Sequence, residues 1–308
     1  MTTDAGGTPP RSRVFDTAAP RFAGGLAYSR AGAGEPLLLL HGLASSRGAF
    51  NDLVPLLSQH FDVISVDLPG HGDSPRLGSG DVMTPASQAR AVARLLDELA
   101  IDRAHLVGNS MGGWVALELA ADGRAASVTG LCPAGLWEPP VKRDITLEIN
   151  RRLAITLAPV TPLLLHVAPL REFLFRNGVE RPYRVSYHIA RTTADGQRRA
   201  DGYDEAHDGM LHRRFQRAQE IPDTVPVTVL FGDNDKLLTV EQHQVRSLAP
   251  NHARWIVMPR VGHAPMWDDP EHSAAEIRAT ATAAQRGLRE AQATAQLKPD
   301  RSSAGARV

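Results

Sequence analysis

The sequence has almost no cysteine and no excess of either charge. Cys132 is the single cysteine in 308 residues, which excludes an internal disulfide and a metal site built from several cysteines. The chain has 34 basic and 34 acidic side chains and a pI near 7.2. Because no basic excess is available to attract phosphate backbones, we expect no nucleic-acid partner.

The sequence also lacks the continuous apolar run of a secretory signal or a membrane span. Its first 13 residues have no apolar core, so export has no support and a cytoplasmic location is expected. The stretch 153–170 contains no Asp, Glu, Lys or Arg, but three prolines interrupt it. Since a spanning helix needs about 20 mostly apolar residues, we predict buried, kinked helices beside a cavity instead of a membrane span.

What the chain does contain is typical of an α/β protein. Its hydrophobic fraction of 43% and charged fraction of 22% exclude wholesale disorder. Short apolar runs alternate with amphipathic segments, a pattern that predicts a mostly parallel central sheet flanked by helices. The candidate strands are residues 36–40, 61–66, 104–107, 127–131, 225–231 and 253–257.

Helical periodicity is clearest in residues 85–100, 111–121 and 270–284. The interval 137–222 breaks the alternation, because it has helical stretches and prolines but few convincing strands, and we interpret it as a helical insertion. The expected divisions are tails at 1–12 and 287–308, a core at 13–136 and 223–286, and the insertion at 137–222.

One glycine-rich turn carries the sharpest chemical signal. The sequence GNSMGG at 108–113 follows a candidate strand directly and opens a candidate helix. A G-x-S-x-G motif in this context holds its serine in a strained turn, and only small residues at 108 and 112 leave room for it. The helix N-terminus offers backbone N–H groups to a developing anion. Ser110 is therefore the candidate nucleophile.

With this motif, the sequence resembles the α/β-hydrolase family over residues of about 25 to 285. The resemblance implies an oxyanion hole made by the backbone N–H groups of Leu43, which follows His41-Gly42, and of Met111. The family's loop after the next strand corresponds to DLPGHGDS at 67–74. We interpret His71 and Asp73 in that loop as structural residues.

The resemblance also implies the acid and the base. In the family, the acid comes after the strand that follows the insertion. There the family's pattern selects Asp235 in FGDNDK, with Asp233 as the fallback. His263 in VGHAPM follows the last strand and is the expected base. The order Ser110, Asp235, His263 is the order described for this fold.

These residue types predict acyl transfer. A serine hydroxyl needs a neutral imidazole to accept its proton, and the carboxylate holds the imidazole tautomer. Water activated by the same histidine then releases the acyl group, so neither metal nor organic cofactor is required. We expect activity to fall below a pH of about 6–7 as the base protonates.

In the family, an insertion at this place covers the catalytic loops. An apolar cavity wall here would favour apolar acyl or alcohol groups. Trp114, Trp137 and Met266 are candidate pocket residues because they adjoin the catalytic motifs. The insertion's apolar candidates are Ile155, Leu157, Leu163, Leu164, Leu165, Leu170, Phe173, Leu174 and Phe175. Its arginines, which we expect to be solvated unless one binds a substrate carboxylate, are Arg151, Arg152, Arg198, Arg199, Arg213, Arg214 and Arg217.

Several reactions fit such a site. Hydrolysis of a small, largely apolar ester ranks first. The turn sequence GNSMGG also resembles that of carbon–carbon bond hydrolases acting on vinylogous diketones. Those enzymes, however, commonly have tryptophan after the base, where this chain has Ala264. Dehalogenases and epoxide hydrolases of this fold have aspartate at the position of Ser110. Perhydrolase, thioesterase and non-enzymatic receptor roles stay open, as does homo-oligomer formation.

Overall fold

The computed structural model describes residues 19–78, 80–143 and 145–296, and its centre is an eight-stranded sheet. In spatial order the strands run β1-β2-β4-β3-β5-β6-β7-β8. The first two pair in antiparallel fashion, and β3 to β8 are parallel. The strands are β1 (Arg21–Ala23), β2 (Leu26–Ala31), β3 (Glu35–Leu40), β4 (Phe61–Val66), β5 (Ala104–Asn109), β6 (Ala125–Leu131), β7 (Val227–Gly232) and β8 (Arg254–Met258).

The mostly parallel α/β architecture predicted from the sequence is confirmed. All six candidate strands are present. The central strands are covered on both faces, which is why their sequences are continuously apolar. Leu37 to Leu40, for example, are fully buried. Strands β1 and β2 were not predicted from the sequence; they form a hairpin around Gly24 and Gly25. Both glycines have positive φ, at 55° and 80°, as a two-residue hairpin turn requires.

Helices flank the sheet, and the three predicted ones are present. The helices are α1 (Val54–Leu57), α2 (Pro85–Glu98), α3 (Met111–Ala121), α4 (Ile145–Thr156), α5 (Thr161–Leu164), α6 (Ala168–Phe175), α7 (Tyr187–Arg198), α8 (Tyr203–Leu211), α9 (Val240–His243), α10 (Pro265–Asp268) and α11 (Pro270–Gln296). Helix α11 extends past residue 286, so the C-terminal tail expected at 287–308 is helical as far as Gln296. The N-terminal tail expected at 1–12 and residues 297–308 lie outside the described residues.

Helices α4 to α8 form the insertion between β6 and β7. The prolines do break it: α5 and α6 each carry a proline in the first turn. The prediction that residues 153–170 are buried was wrong, since only Ala154 and Leu165 are buried there. Most residues of 153–170 are exposed in the described part of the chain. In the described part of the chain, no helix is long and apolar enough to cross a bilayer.

Hydrogen bonds and ion pairs on both sides fasten the insertion to the core. On one side, Arg199 forms an ion pair with Asp73, and the N–H of Gly202 donates to the carbonyl of Gly70 at 2.8 Å. On the other side, the buried carboxylate of Asp268 accepts hydrogen bonds from the backbone N–H groups of Glu180 and Arg181 at 2.9 and 2.7 Å. The insertion is thereby held over the edge where the parallel strands end.

Candidate active site

The carboxyl ends of the parallel strands place the predicted residues at one edge of the sheet. Ser110 follows β5 directly, and its φ of 53° and ψ of −118° are strained for a residue other than glycine. Its backbone is held by hydrogen bonds: its N–H donates to Leu131 at 3.0 Å, and its carbonyl accepts from Gly113 and Ala134 at 2.9 Å. The surrounding structure therefore fixes the sharp turn that presents the serine side chain.

Two glycines make this turn sterically possible. A Cβ at Gly108 would lie 2.2 Å from the carbonyl oxygen of Gly112, and a Cβ at Gly112 would lie 2.0 Å from that of Leu40. Neither backbone oxygen can move without displacing a strand or a helix. The spacing of the motif follows from this crowding, because β5, α3 and β3 meet at the turn.

Asp235 and His263 form a buried pair. The Nδ1 of His263 lies 2.8 Å from Oδ2 of Asp235. The other carboxylate oxygen accepts the N–H groups of Leu237 and Leu238 at 2.9 and 2.8 Å. Burial alone would raise the pKa of Asp235, but its interactions with His263 and these two N–H groups outweigh burial and lower that pKa. Asp235 is therefore ionised at neutral pH and holds the Nδ1–H tautomer.

The fallback acid has a different environment. Asp233 accepts a hydrogen bond from the backbone N–H of Val261 at 3.2 Å. Its carboxylate thus ties two loops together, whereas Asp235 is the carboxylate bonded to the imidazole.

Ser110 and His263 line the same cavity. With Nδ1 bonded to the carboxylate, Nε2 is the imidazole nitrogen left to accept the serine proton. Within the described part of the chain no hydrogen bond joins the two side chains. Catalytic hydrogen bonds in unliganded enzymes are often long and tighten when substrate binds.

The two predicted oxyanion donors flank the serine. Leu43 lies in the loop after β3 and lines the cavity, and Met111 is the first residue of α3. Among the described residues, neither backbone N–H donates to another group. A Cβ placed at the adjacent Gly42 would lie 3.2 Å from Cβ of Ser110, so the two loops approach closely. Two unpaired N–H groups beside a serine are what an oxyanion hole requires.

Asn109 is the residue before Ser110 in the serine turn, and no role was predicted for it. Its side-chain amide donates to the carbonyls of Leu131 and His263, each at 3.0 Å. It therefore ties the end of β5 to the loop that carries the imidazole. No local sequence signal could reveal this contact, since 154 positions separate Asn109 from His263.

The cavity beside Ser110 has a volume of about 470 Å³ and a mostly apolar wall. Trp137 and Met266 line it, as do six of the nine apolar residues named for the insertion: Leu157, Leu164, Leu165, Leu170, Leu174 and Phe175. Ile155, Leu163 and Phe173 are instead exposed to solvent. None of the seven named arginines lines the cavity.

The expectation for Trp114 needs correction. Its ring is buried behind Trp137, in an edge-to-face contact with 5.7 Å between ring centroids. Its indole N–H donates to the carboxylate of Glu118 at 2.9 Å. Trp114 lies on the inner side of α3 and supports the cavity wall from behind, because a helix residue four positions from the nucleophile faces the core.

No sequence pattern predicts the polar groups of the cavity wall. The loops and helices of the insertion bring most of them there: Lys142, Asn150, Asn177, Gln197, His207 and His243. Burial lowers the pKa of His243, and its ring contacts Trp137 edge-on at 5.8 Å. His243 is therefore a neutral, wall-forming histidine at physiological pH.

One group of side chains has ligand atoms close enough for a metal ion. These atoms of Cys132, Asp235 and His263 lie within 4.8 Å of one another. Two of the three are already joined by the hydrogen bond between the carboxylate and the imidazole. Burial, and then the nearby Asp235, raise the pKa of the Cys132 thiol well above its ordinary value, so the sulfur is a protonated neighbour of the pair.

The sequence profile of the alpha/beta hydrolase family matches residues 37–277. The chain belongs to the alpha/beta hydrolase family. This match spans the strained serine turn, the insertion and the imidazole loop, so all the residues described above lie within the family's own unit. Membership identifies the protein as a hydrolase.

Relatives within the alpha/beta hydrolase family differ in their named reactions. The chain is 34% identical over 206 residues to the epoxide hydrolase EphH of Mycobacterium tuberculosis, covering 61% of this chain and 90% of that protein. It is 40% identical over 130 residues to a pimeloyl-[acyl-carrier protein] methyl ester esterase of Methylococcus capsulatus, covering 40% and 48%. A thermophilic esterase from Thermogutta terrifontis superposes with a TM-score of 0.59 at 27% identity, covering 82% and 91%.

Proposed function

We propose that the protein is a serine hydrolase that cleaves small, largely apolar carboxylic esters through an acyl-enzyme at Ser110. The observation that carries this proposal is the Asp235–His263 pair, hydrogen-bonded at 2.8 Å, in a cavity shared with a serine in a strained turn. These are the nucleophile, base and orienting acid that acyl transfer needs. The helical insertion acts as a cap that shapes the substrate cavity.

The reaction proceeds in two halves. Oγ of Ser110 attacks the ester carbonyl while Nε2 of His263 takes its proton, and the N–H groups of Leu43 and Met111 stabilise the oxyanion. The intermediate collapses, the C–O bond to the alcohol breaks, and the alcohol leaves with that proton. Water then repeats the sequence on the acyl-serine, giving the carboxylic acid and free Ser110.

The cavity wall supports a largely apolar substrate. Its apolar side chains suit alkyl or aryl groups on either side of the ester, and no arginine named above faces it. The asparagine and glutamine side chains on the wall add hydrogen-bonding groups that orient a polar substituent. Two of the relatives named above are esterases, which agrees with this choice of bond.

The named activity of the Mycobacterium relative fits Ser110 poorly. A covalent route for epoxides needs an intermediate that water can hydrolyse, and attack by a carboxylate gives such an ester. Attack by the Ser110 hydroxyl on an epoxide carbon would give an alkyl ether, which a histidine-activated water does not cleave. The acyl-serine formed from an ester is hydrolysable by the same groups.

Labelling with a fluorophosphonate tests the nucleophile. The probe should modify the unaltered protein and fail to modify Ser110→Ala, while Ser45→Ala, at another serine of the cavity wall, should still be labelled. Absence of labelling in folded protein would refute the serine mechanism.

A substrate panel tests the bond. We expect p-nitrophenyl esters of short and medium chains to turn over faster than a vinylogous diketone or styrene oxide. Ser110→Ala should reduce ester turnover by about 10⁴-fold or more. Faster turnover of the diketone would replace the ester assignment by carbon–carbon bond hydrolysis, because the turn sequence GNSMGG also resembles that of carbon–carbon bond hydrolases.

A further inference from the structure

The exposed apolar side chains of this protein are concentrated on one part of the insertion. Of the fourteen large hydrophobic residues that are exposed in the described part of the chain, nine lie between 145 and 173. We call them the apolar face: Ile145, Ile149, Leu153, Ile155, Leu157, Val160, Leu163, Val167 and Phe173. Scattered exposed hydrophobic residues are ordinary, whereas such a concentration marks an interaction surface.

The first members of the apolar face form a continuous stripe. Ile145, Ile149 and Leu153 recur every four residues along α4 and therefore lie on one side of it. Helical hydrogen bonding continues past the end of α4, since the N–H of Leu157 donates to the carbonyl of Leu153 at 2.9 Å. The stripe thus reaches Leu157, and the short helices α5 and α6 carry the later members Leu163 and Phe173.

The apolar face is continuous with the cavity that contains Ser110. Leu153 and Leu157 are 42% and 40% exposed, and both also line that cavity. The same side chains therefore form part of the cavity wall and part of the outer surface. An apolar molecule at this point of the surface therefore contacts leucine side chains that also border the cavity.

Basic side chains accompany the face. The guanidinium of Arg176 lies 3.6 Å from the ring centroid of the exposed Phe173. Lys142 lines the cavity and has no ion-pair partner among the described residues. Arg143 is ion-paired with Asp204 and Asp208, and Arg152 with Glu148. Arg176, like Lys142, has no ion-pair partner among the described residues. Exposed leucine, isoleucine and phenylalanine flanked by lysine and arginine are typical of helices that lie in a lipid–water interface.

We propose that the apolar face docks on a phospholipid surface, from which the cavity receives apolar substrate. The hydrophobic side chains enter the headgroup–acyl boundary, and Arg176 and Lys142 contact lipid phosphates. Docking itself does not depend on ester chemistry; only the delivery of an ester substrate rests on the proposed function.

A second copy of the chain is the less suitable occupant. In a two-fold dimer the same patch meets itself, so the Lys142 and Arg176 cations of one copy would face those of the other. Such a contact would also cover the place where Leu153 and Leu157 join the cavity to the outside. A lipid surface has neither disadvantage, because its phosphates attract the cations and its acyl phase is where apolar esters dissolve.

Flotation with vesicles tests the proposal. The protein should float with vesicles of phosphatidylcholine containing a minority of phosphatidylglycerol, and the Ser110→Ala protein should float equally. Leu163→Glu, which places a charge on the most exposed member of the face at 73%, should weaken binding by about tenfold. Val240→Glu is the matched control, because Val240 is 61% exposed but lies outside the face, and it should bind normally.

Three results would overturn the proposal. One is absence of vesicle binding by folded protein, and another is equal binding by the Leu163→Glu and Val240→Glu proteins. The third is a dimer in light scattering that Leu163→Glu dissociates, which would assign the face to a second copy. Because binding is measured with Ser110→Ala as well, its failure is distinguishable from failure of the esterase assignment, for which p-nitrophenyl butyrate in free solution is the readout.

Discussion

The orientation of the imidazole depends on a single carboxylate. Asp235 uses both oxygens, one on His263 and the other on two backbone N–H groups. Two residues earlier, Asp233 accepts one backbone N–H in a loop contact. The two carboxylates are thus close in sequence and different in chemistry, which makes them a natural pair for comparison.

Asp235→Asn should lower kcat by about 10⁴-fold, because the amide no longer fixes the productive tautomer or stabilises the imidazolium. Asp233→Asn should retain most of the activity, since an amide oxygen can still accept the N–H of Val261. The measurement is steady-state hydrolysis of p-nitrophenyl butyrate with both proteins at matched folded concentration. Equal losses in the two variants would contradict the assignment of the acid.

Two other histidines near the sheet edge are held neutral. His41 donates from Nδ1 to the carbonyl of Gly42 at 2.7 Å and accepts the N–H of Leu68 on Nε2 at 3.0 Å. A proton added to Nε2 would therefore point at the N–H of Leu68. Burial lowers the pKa of His41 to about 4 and that of His71 to about 3. Their rings lie 5.3 Å apart. Both belong to the structural support of the site.

These two histidines predict a loss of stability in mild acid. Below the unfolded pKa of 6.5 the unfolded chain binds protons on these histidines and the folded chain does not. The unfolding free energy therefore falls with pH until the folded pKa is reached, about 4 for His41 and about 3 for His71. Each histidine should remove about 1.4 kcal/mol between pH 7.5 and 5.5. Urea unfolding at the two pH values measures the change.

The His71→Gln protein separates this cause from general acid sensitivity. Glutamine can still donate to the carbonyl of Pro69, but it does not titrate, so the stability change between the two pH values should shrink by about 1.4 kcal/mol. His60→Gln, at an exposed histidine, should leave the change as it is. An unaltered pH dependence in His71→Gln would contradict the account.

At the scale of elements, the site depends on how closely α3 approaches β3. Gly112 allows this approach, because its backbone lies against the carbonyl of Leu40. The element boundaries here agree with the sequence prediction, and α3 spans the predicted 111–121. The predicted strands and helices were recovered where the local pattern is strong, whereas the short β1–β2 hairpin was missed because its strands offer three and six residues of mixed burial.

Gly112→Ala should push α3 away from β3 and disturb the serine turn. We expect a loss of about 1–3 kcal/mol in unfolding free energy from overpacking, together with a marked loss of fluorophosphonate labelling. Gly287→Ala is the control, since no atom lies within 4 Å of its added Cβ in the exposed part of α11. That change should stabilise by up to about 1 kcal/mol. Thermal unfolding with labelling distinguishes the two, and a harmless Gly112→Ala would contradict the packing argument.

At the scale of the whole molecule, one buried carboxylate joins the insertion, the core and the imidazole loop. Asp268 is fully buried and accepts the backbone N–H of Gly262 at 2.7 Å, as well as those of Glu180 and Arg181. Gly262 immediately precedes His263. The position of the insertion and the position of the base therefore depend on the same side chain.

Asp268→Ala should lower the unfolding free energy by about 3 kcal/mol or more, because three backbone donors lose their acceptor in a buried place. The residual folded protein should also show a reduced kcat, since the loop before the base is released. Asp269→Ala, at the neighbouring and partly exposed carboxylate, should cost far less. Urea unfolding followed by kinetics at saturating ester measures both effects, and equal stability of the two variants would count against this role.

The sequence by itself indicated six of the eight strands in the described part of the chain and the serine turn. Both are specified locally: continuous apolar runs make buried strands, and glycines at 108 and 112 permit one particular turn. The two loops that carry Asp235 and His263 were expected from the resemblance to the family. Only the tertiary structure decided that Asn109 and Asp268 hold the imidazole loop and that Trp114 lies behind the cavity wall. It also decided that hydrophobic side chains of the insertion are exposed among the described residues. Those facts depend on which distant segments meet, and a contact between residues 109 and 263 leaves no trace in the pattern around either one.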